Sequence, residues 1–336
     1  MVDLLQKRKI ELISFLQGDV FDKLKELDDN SIDCVVTSPP YWGLRDYGVD
    51  GQLGLEPTYQ EHIKNIVELF RAMKPKLKDS ATVWLNYGDS YAATINGTKV
   101  KDQVKNKVQF ASKYLIKGDD RTFRDKPFST IQGSIKPKDL VMIPNRIAIA
   151  LQDDGWWIRS EIIWHKPNPM PESTKDRPTQ CHEKIWLITK SKKYYYDAEA
   201  VREPCQDETI RRMTLGNKGK VGNNKNSTGW KQLNNYWGSE QSVKDANKGR
   251  NRRNVWTITT KPFKDAHFAT FPKDLIEPCI KAGCPKGGIV LDPFGGAGTT
   301  GIVAQSLNRT AILIELNPEY IEIAKKRIDK ELGMFK

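Results

Sequence analysis

The 336-residue chain predicts an α/β fold, a doubly wound and mostly parallel sheet with helices on both faces. Three observations predict it. Short β-branched or continuously apolar runs alternate with segments of helical period. Those runs place β-branched or apolar residues at consecutive positions, not at every second one, as strands covered on both faces tend to do. Near the C-terminus a glycine-rich turn joins one such run to a helix start.

In chain order the predicted strands are residues 33–38, 82–88, 159–165, 184–189, 289–294 and 310–316. Helical periods fall between them at 62–73, 146–152, 275–281, 300–307 and 319–327. In the last, Ile321, Ala324 and Ile328 stand at i, i+3 and i+7 on one face. No internal repeat interrupts this order. At roughly 150 residues per domain the length holds about two domains' worth of chain. Composition is ordinary for a globular protein, 38% hydrophobic and 29% charged.

No apolar run approaches the roughly 18 residues of a membrane helix, and Met1-Val2-Asp3 opens no signal peptide. A cytoplasmic protein with no membrane partner is expected. Five cysteines (Cys34, Cys181, Cys205, Cys279, Cys284) without a CxxC pair fit reduced thiols in such a compartment. None of the four histidines pairs with cysteine at finger spacing, so no metal is expected.

The net charge of +12 is unevenly spread. Residues 98–136 hold 10 basic and 4 acidic side chains, and residues 202–264 hold 14 and 5. These two segments, at +6 and +9, carry all the excess. Both are poor in apolar period, and residues 216–226 read as loop. Trp230, Tyr236, Trp237 and Trp256 interleave the cations of the second segment. Cations for phosphates and planar rings for bases suit a nucleic-acid surface. Arg211, Arg212, Lys231, Arg250, Arg252 and Arg253 are its candidate contacts.

The C-terminal turn reads Ile289-Val290-Leu291-Asp292-Pro293-Phe294-Gly295-Gly296-Ala297-Gly298-Thr299-Thr300. Ligands of doubly wound sheets sit beyond the carboxyl ends of strands, where glycines admit a close approach. A second apolar strand ends about twenty residues later in Glu315, whose carboxylate can accept hydrogen bonds from ribose hydroxyls. The turn lacks GxxxxGK[ST], and it does not match GxGxxG. Alone it leaves a dinucleotide and S-adenosylmethionine both open.

Near the N-terminus, Asp33-Cys34-Val35-Val36-Thr37-Ser38-Pro39-Pro40-Tyr41 ends a buried strand in two prolines. Proline lacks an N–H and fixes φ, so the carbonyls around it are held outward. A fixed carbonyl beside a serine hydroxyl can accept both hydrogens of an exocyclic amine, and Tyr41 can stack on the ring that carries it.

Together these segments resemble the amino-methyltransferases of DNA. Thr37-Ser38-Pro39-Pro40-Tyr41 is similar to their catalytic motif (D/N/S)PP(Y/F). Asp292, Pro293, Phe294, Gly295, Gly296, Gly298, Thr299 and Thr300 resemble their cofactor motif, and Glu315 the acidic residue that follows. His267-Phe268-Ala269-Thr270-Phe271-Pro272 resembles a second cofactor segment, which brings in His267, Phe271 and Pro272. Gly18-Asp19 resembles the segment whose Asp meets the cofactor's adenine.

With the catalytic motif first and the cofactor motif last, the order resembles the β group. It implies a Rossmann-like methyltransferase fold whose catalytic half is residues 1–97 and 137–201. A basic insertion at 98–136, a target-recognition region at 202–264 and a cofactor-binding half at 265–336 complete the implied organisation.

The resemblance implies methyl transfer from S-adenosyl-L-methionine to an exocyclic nitrogen of double-stranded DNA, with the base flipped out of the duplex. Ser38 favours N4 of cytosine, because the family's adenine enzymes more often carry Asp or Asn there; N6 of adenine is the alternative. A non-catalytic DNA-binding protein and an RNA-modifying enzyme are weaker alternatives, the first opposed by the intact Ser-Pro-Pro-Tyr. His-x-Glu is absent, which argues against a zinc deaminase, and no (D/E)-x-Lys triplet suggests a fused nuclease. If a restriction endonuclease partner exists, it is expected to be a separate protein.

Overall fold

Residues 12–49, 51–93, 129–215, 239–260 and 271–333 are described by the structure, a computed structural model. In chain order they form β1 (Ile13–Gln17), α1 (Val20–Lys25), β2 (Ile32–Thr37), α2 (Tyr59–Met73) and β3 (Leu77–Tyr87). Next come α3 (Ile143–Asp153), β4 (Trp157–His165), β5 (His182–Thr189), α4 (Asp207–Leu215), α5 (Glu240–Lys248) and β6 (Val255–Thr257). The chain closes with α6 (Lys273–Gly283), β7 (Ile289–Asp292), α7 (Thr299–Ser306), β8 (Thr310–Glu315) and α8 (Pro318–Leu332).

The strands form one sheet in the order β1-β8-β7-β2-β3-β5-β4-β6. Only the β5 ladders, to β3 and to β4, are antiparallel; the others are parallel. This is the predicted α/β sheet. All six residues of β2 are buried, as its mostly apolar character requires of a central parallel strand. The one charge within it, Asp33, is paired with Lys78 Nζ at 2.8 Å and accepts the Ile289 N–H at 2.9 Å. That second bond pins the start of β7 beside β2. Because β3 and β7 flank β2 on opposite sides, the order reverses here, and a crevice opens beyond the carboxyl ends of β2 and β7.

Helices cover the sheet through their apolar faces. In α2 a Thr58–Glu61 capping box fixes the start, and Ile66, Leu69, Phe70 and Met73 are buried. The six predicted strands and five predicted helices are present, with ends shifted by up to five residues. Not predicted were β1, α1, α4, α5 and β6.

Residues 196–253 form a compact unit distinct from the rest of the chain. Within it α4 and α5 pack together, and Ser242 Oγ donates to Met213 O at 2.8 Å. Glu203 and Arg250 exchange backbone hydrogen bonds of 2.9 and 2.8 Å. Gly249 permits this bridge, since its φ is +84° and a Cβ there would stand 2.4 Å from the Glu203 carbonyl oxygen. Poor as it is in apolar period, this segment holds two polar helices, the second capped by Ser239. Their weak hydropathy concealed them.

Candidate active site

Beyond Thr37 the two prolines end the pairing of β2, and Ser38, Pro39, Pro40 and Tyr41 turn along the rim of the crevice. The Tyr41 ring stacks on Tyr87, the last residue of β3, with centroids 4.4 Å apart. Its hydroxyl donates to Glu183 Oε2 at 2.9 Å and accepts from Ser38 Oγ at 3.2 Å. Burial, with the Glu183 carboxylate alongside, pushes the Tyr41 phenol well above its usual range.

Behind this segment Tyr87 Oη accepts the Trp42 N–H at 2.7 Å and lies 2.8 Å from His62 Nε2. His62 Nδ1 is in turn 2.8 Å from Glu56 Oε2, and all three side chains are buried. Trp42 belongs to the core, where it donates Nε1–H to the Glu56 carbonyl.

The glycine turn faces it. Asp292 ends β7 fully buried, and three donors meet its carboxylate. They are Thr37 Oγ1 at 2.9 Å, the Phe294 N–H at 3.1 Å and Thr300 Oγ1 at 2.6 Å. Burial nevertheless pushes its pKa up to about 7. The end of β2 and the turn are therefore tied through one carboxyl group. Gly295 crosses β8 so closely that a Cβ would sit 2.8 Å from Leu313 Cβ. Glu315 accepts the Gly296 N–H through Oε2 and the Asn317 N–H through Oε1, each at 2.9 Å. Burial raises its pKa as well.

One cavity of about 720 Å³ joins the two motifs. Its lining includes Asp19, Ser38, Pro39, Pro40, Tyr41, Phe271, Asp292, Pro293, Phe294, Gly295, Gly296, Thr299 and Glu315. Asp19 caps α1 by accepting the Phe21 N–H at 2.9 Å. Pro272, Gly298 and Thr300 stand outside the lining: Pro272 is the N-cap residue of α6, Gly298 that of α7, and Thr300 is spent on Asp292. His267 and Lys231 lie outside the described residues.

Arg211 and Arg212 are exposed on α4, with Glu208 at 3.9 and 3.1 Å. Arg250 and Arg253 each approach Glu203 at 3.4 Å, and Arg252 is half-buried between them in sequence. Sequence reasoning missed Asn86, Lys166 and Glu183, which also line the cavity. No motif announces them.

Among the described residues no cluster of His, Cys, Asp and Glu is arranged to hold a metal, and no helix is long and apolar enough to cross a membrane. The chain matches the DNA methylase family model over residues 32–326. It belongs to that family. This methylase is 43% identical to the Type II methyltransferase M.Cfr9I of Citrobacter freundii, over 95% of this chain and 88% of the relative. It is also 43% identical to M.SmaI of Serratia marcescens, over 93% and 89%.

In fold the methylase is similar to the cytosine-N4-specific PvuII DNA methyltransferase, with TM-score 0.58, 18% identity and coverage of 96% and 91%. A putative DNA modification methylase of Thermus thermophilus, complexed with S-adenosyl-L-methionine, aligns with TM-score 0.53, 21% identity and 95% coverage of both chains.

Proposed function

We propose that this DNA methylase transfers a methyl group from S-adenosyl-L-methionine to the N4 amino group of cytosine in double-stranded DNA. The observation that carries the reading is the single cavity shared by the Ser38–Tyr41 segment and the glycine turn with Glu315. Its volume of about 720 Å³ lies in the usual range for small-molecule sites. Each Glu315 oxygen takes one backbone N–H and can accept a second donor, which suits the paired hydroxyls of a ribose. Gly295 and Gly296 admit a close approach, and Phe271 and Phe294 add apolar surface. When bound, the cofactor supplies an electrophilic methyl group on a sulfonium.

An exocyclic amine is a weak nucleophile because its lone pair is delocalised into the ring. Ser38 Oγ and the Pro39 carbonyl accept its two hydrogens and draw the nitrogen toward tetrahedral geometry, which localises that pair. Tyr41 gives one ring face to Tyr87 and the other to the base. Alignment of nitrogen and methyl then accounts for much of the rate, and no covalent enzyme intermediate is needed.

Ser38, rather than an acidic or amide residue, supports cytosine over adenine. Contacts to the DNA backbone fall to Arg211, Arg212, Lys231, Arg250, Arg252 and Arg253, in the target-recognition region at 202–264. A cognate endonuclease would be a separate polypeptide.

Expression in a host free of DNA methylation, followed by nucleoside mass spectrometry, tests the reading. N4-methylcytosine is expected, and its loss in Ser38→Ala. N6-methyladenine would overturn the base assignment alone, whereas full activity of Ser38→Ala would overturn the catalytic assignment.

A further inference from the structure

We propose that Glu183 is a positioning residue for methyl transfer, fixing the direction of a Ser38–Tyr41–Glu183 hydrogen-bond chain so that the Ser38 oxygen meets the target amine only as an acceptor. The inference rests on the reading of Ser38 given above.

The direction follows from counting hydrogens. Glu183 Oε1 is paired with Lys166 Nζ, while Oε2 takes Asn86 Nδ2–H at 3.1 Å and the Tyr41 hydroxyl at 2.9 Å. Asn86 Nδ2 also donates to the Lys184 carbonyl at 3.2 Å, which turns the amide nitrogen toward Glu183. A carboxylate has only acceptors, and at 2.9 Å it takes the single hydrogen of Tyr41 ahead of Asn86 Oδ1, which lies 3.4 Å away and is likewise an acceptor. Burial keeps that hydrogen in place by disfavouring the phenolate. Tyr41 Oη, 3.2 Å from Ser38 Oγ, is then left as an acceptor there, and the serine hydrogen is spent on it. Both Ser38 lone pairs are free to receive N–H. In the reverse direction Tyr41 would donate to Ser38, fill one lone pair, and leave the serine hydrogen facing the hydrogens of the amine.

The backbone is built around this contact. Glu183 is the second residue of β5, which runs antiparallel to β3 with Asn86 opposite Ile185 and Tyr87 opposite Lys184. Gly88 follows, and a Cβ there would stand 2.8 Å from Tyr41 Cε2 and 3.2 Å from Glu183 Cδ. Only glycine leaves the phenol and the carboxylate their present separation.

Glu183→Gln in the full chain tests the idea, since the new amide can donate to Tyr41 Oη and release the chain to reverse. A charge-assisted hydrogen bond corresponds to about 10- to 100-fold in rate, and single-turnover methylation should fall by that factor. Cofactor affinity by calorimetry and KM for DNA should stay within about twofold, the pattern of a purely kinetic defect. Tyr41→Phe, which keeps the ring and removes the link, should show a comparable loss, and the double variant no more than the worse single. Thermal melts confirm folding.

A wild-type rate in Glu183→Gln or in Tyr41→Phe overturns the proposal, as do losses that multiply in the double variant. Ser38→Ala separates the two readings. If it is inactive while Glu183→Gln is unimpaired, only the positioning role falls. If Ser38→Ala is fully active, the catalytic assignment falls with it.

Discussion

Glu315 does two jobs with one carboxylate, holding the glycine turn by its Gly296 contact and facing the cavity. Replacing it by Ala removes both. Calorimetry on Glu315→Ala should show S-adenosyl-L-methionine binding weakened by about tenfold or more, the value of a hydrogen bond to a charged group. Nicotinamide dinucleotide should not compete in the wild-type protein. Unchanged affinity would take Glu315 out of the site. At this scale legibility depended on distance along the chain. Ser38 and Tyr41 are neighbours in a local pattern and could be singled out from it. Glu183 meets Tyr41 across 142 positions and Asn86 across 97, and no spacing encodes either pair. Such partners become visible only when β3 and β5 are laid side by side.

Among the elements, the junction of β2 with the glycine turn has a pH signature of its own. The Asp292 carboxyl is raised in the folded protein from its ordinary 3.8 to about 7. Between those values the folded state binds more protons than the unfolded one, so stability falls as pH rises from about 4 to about 7. Asp292→Asn should flatten that part of the melting-temperature profile. A slope identical to the wild type would show that Asp292 is not the responsible group. The elements differ in how far sequence exposed them. Strands buried on both faces, such as β2, announce themselves by composition. β1 is short and only half-buried, β6 has three residues, and α1 has six, too few to establish a period. α4 and α5 hide for another reason: both are polar overall, and they are held by mutual packing and, in α5, by the Ser239 cap.

On the scale of the whole molecule, charge is the property most easily tested. If about five of the basic residues at 202–264 neutralise phosphates, log K should fall with log salt at a slope near −4 to −5. The shared carboxylate of Glu203 offsets part of the charge of Arg250 and Arg253. Changing Arg250, Arg252 and Arg253 together to Ala should therefore flatten the slope by about two, less than three full contacts would give. Filter binding across a salt series measures it, and an unchanged slope would assign this charge to solubility. Cofactor affinity should survive the triple change. The reversed strand β5 carries a different lesson. Because it runs against its neighbours, β4 leaves the sheet and β5 re-enters it at the same edge, the one where the cavity opens. The connection through residues 166–181 is thus a hairpin hung on the mouth of the site, anchored at both roots by a finished ladder. It is the place where descendants of this chain can exchange one loop for another, trading what enters the cavity while the sheet beneath is inherited whole.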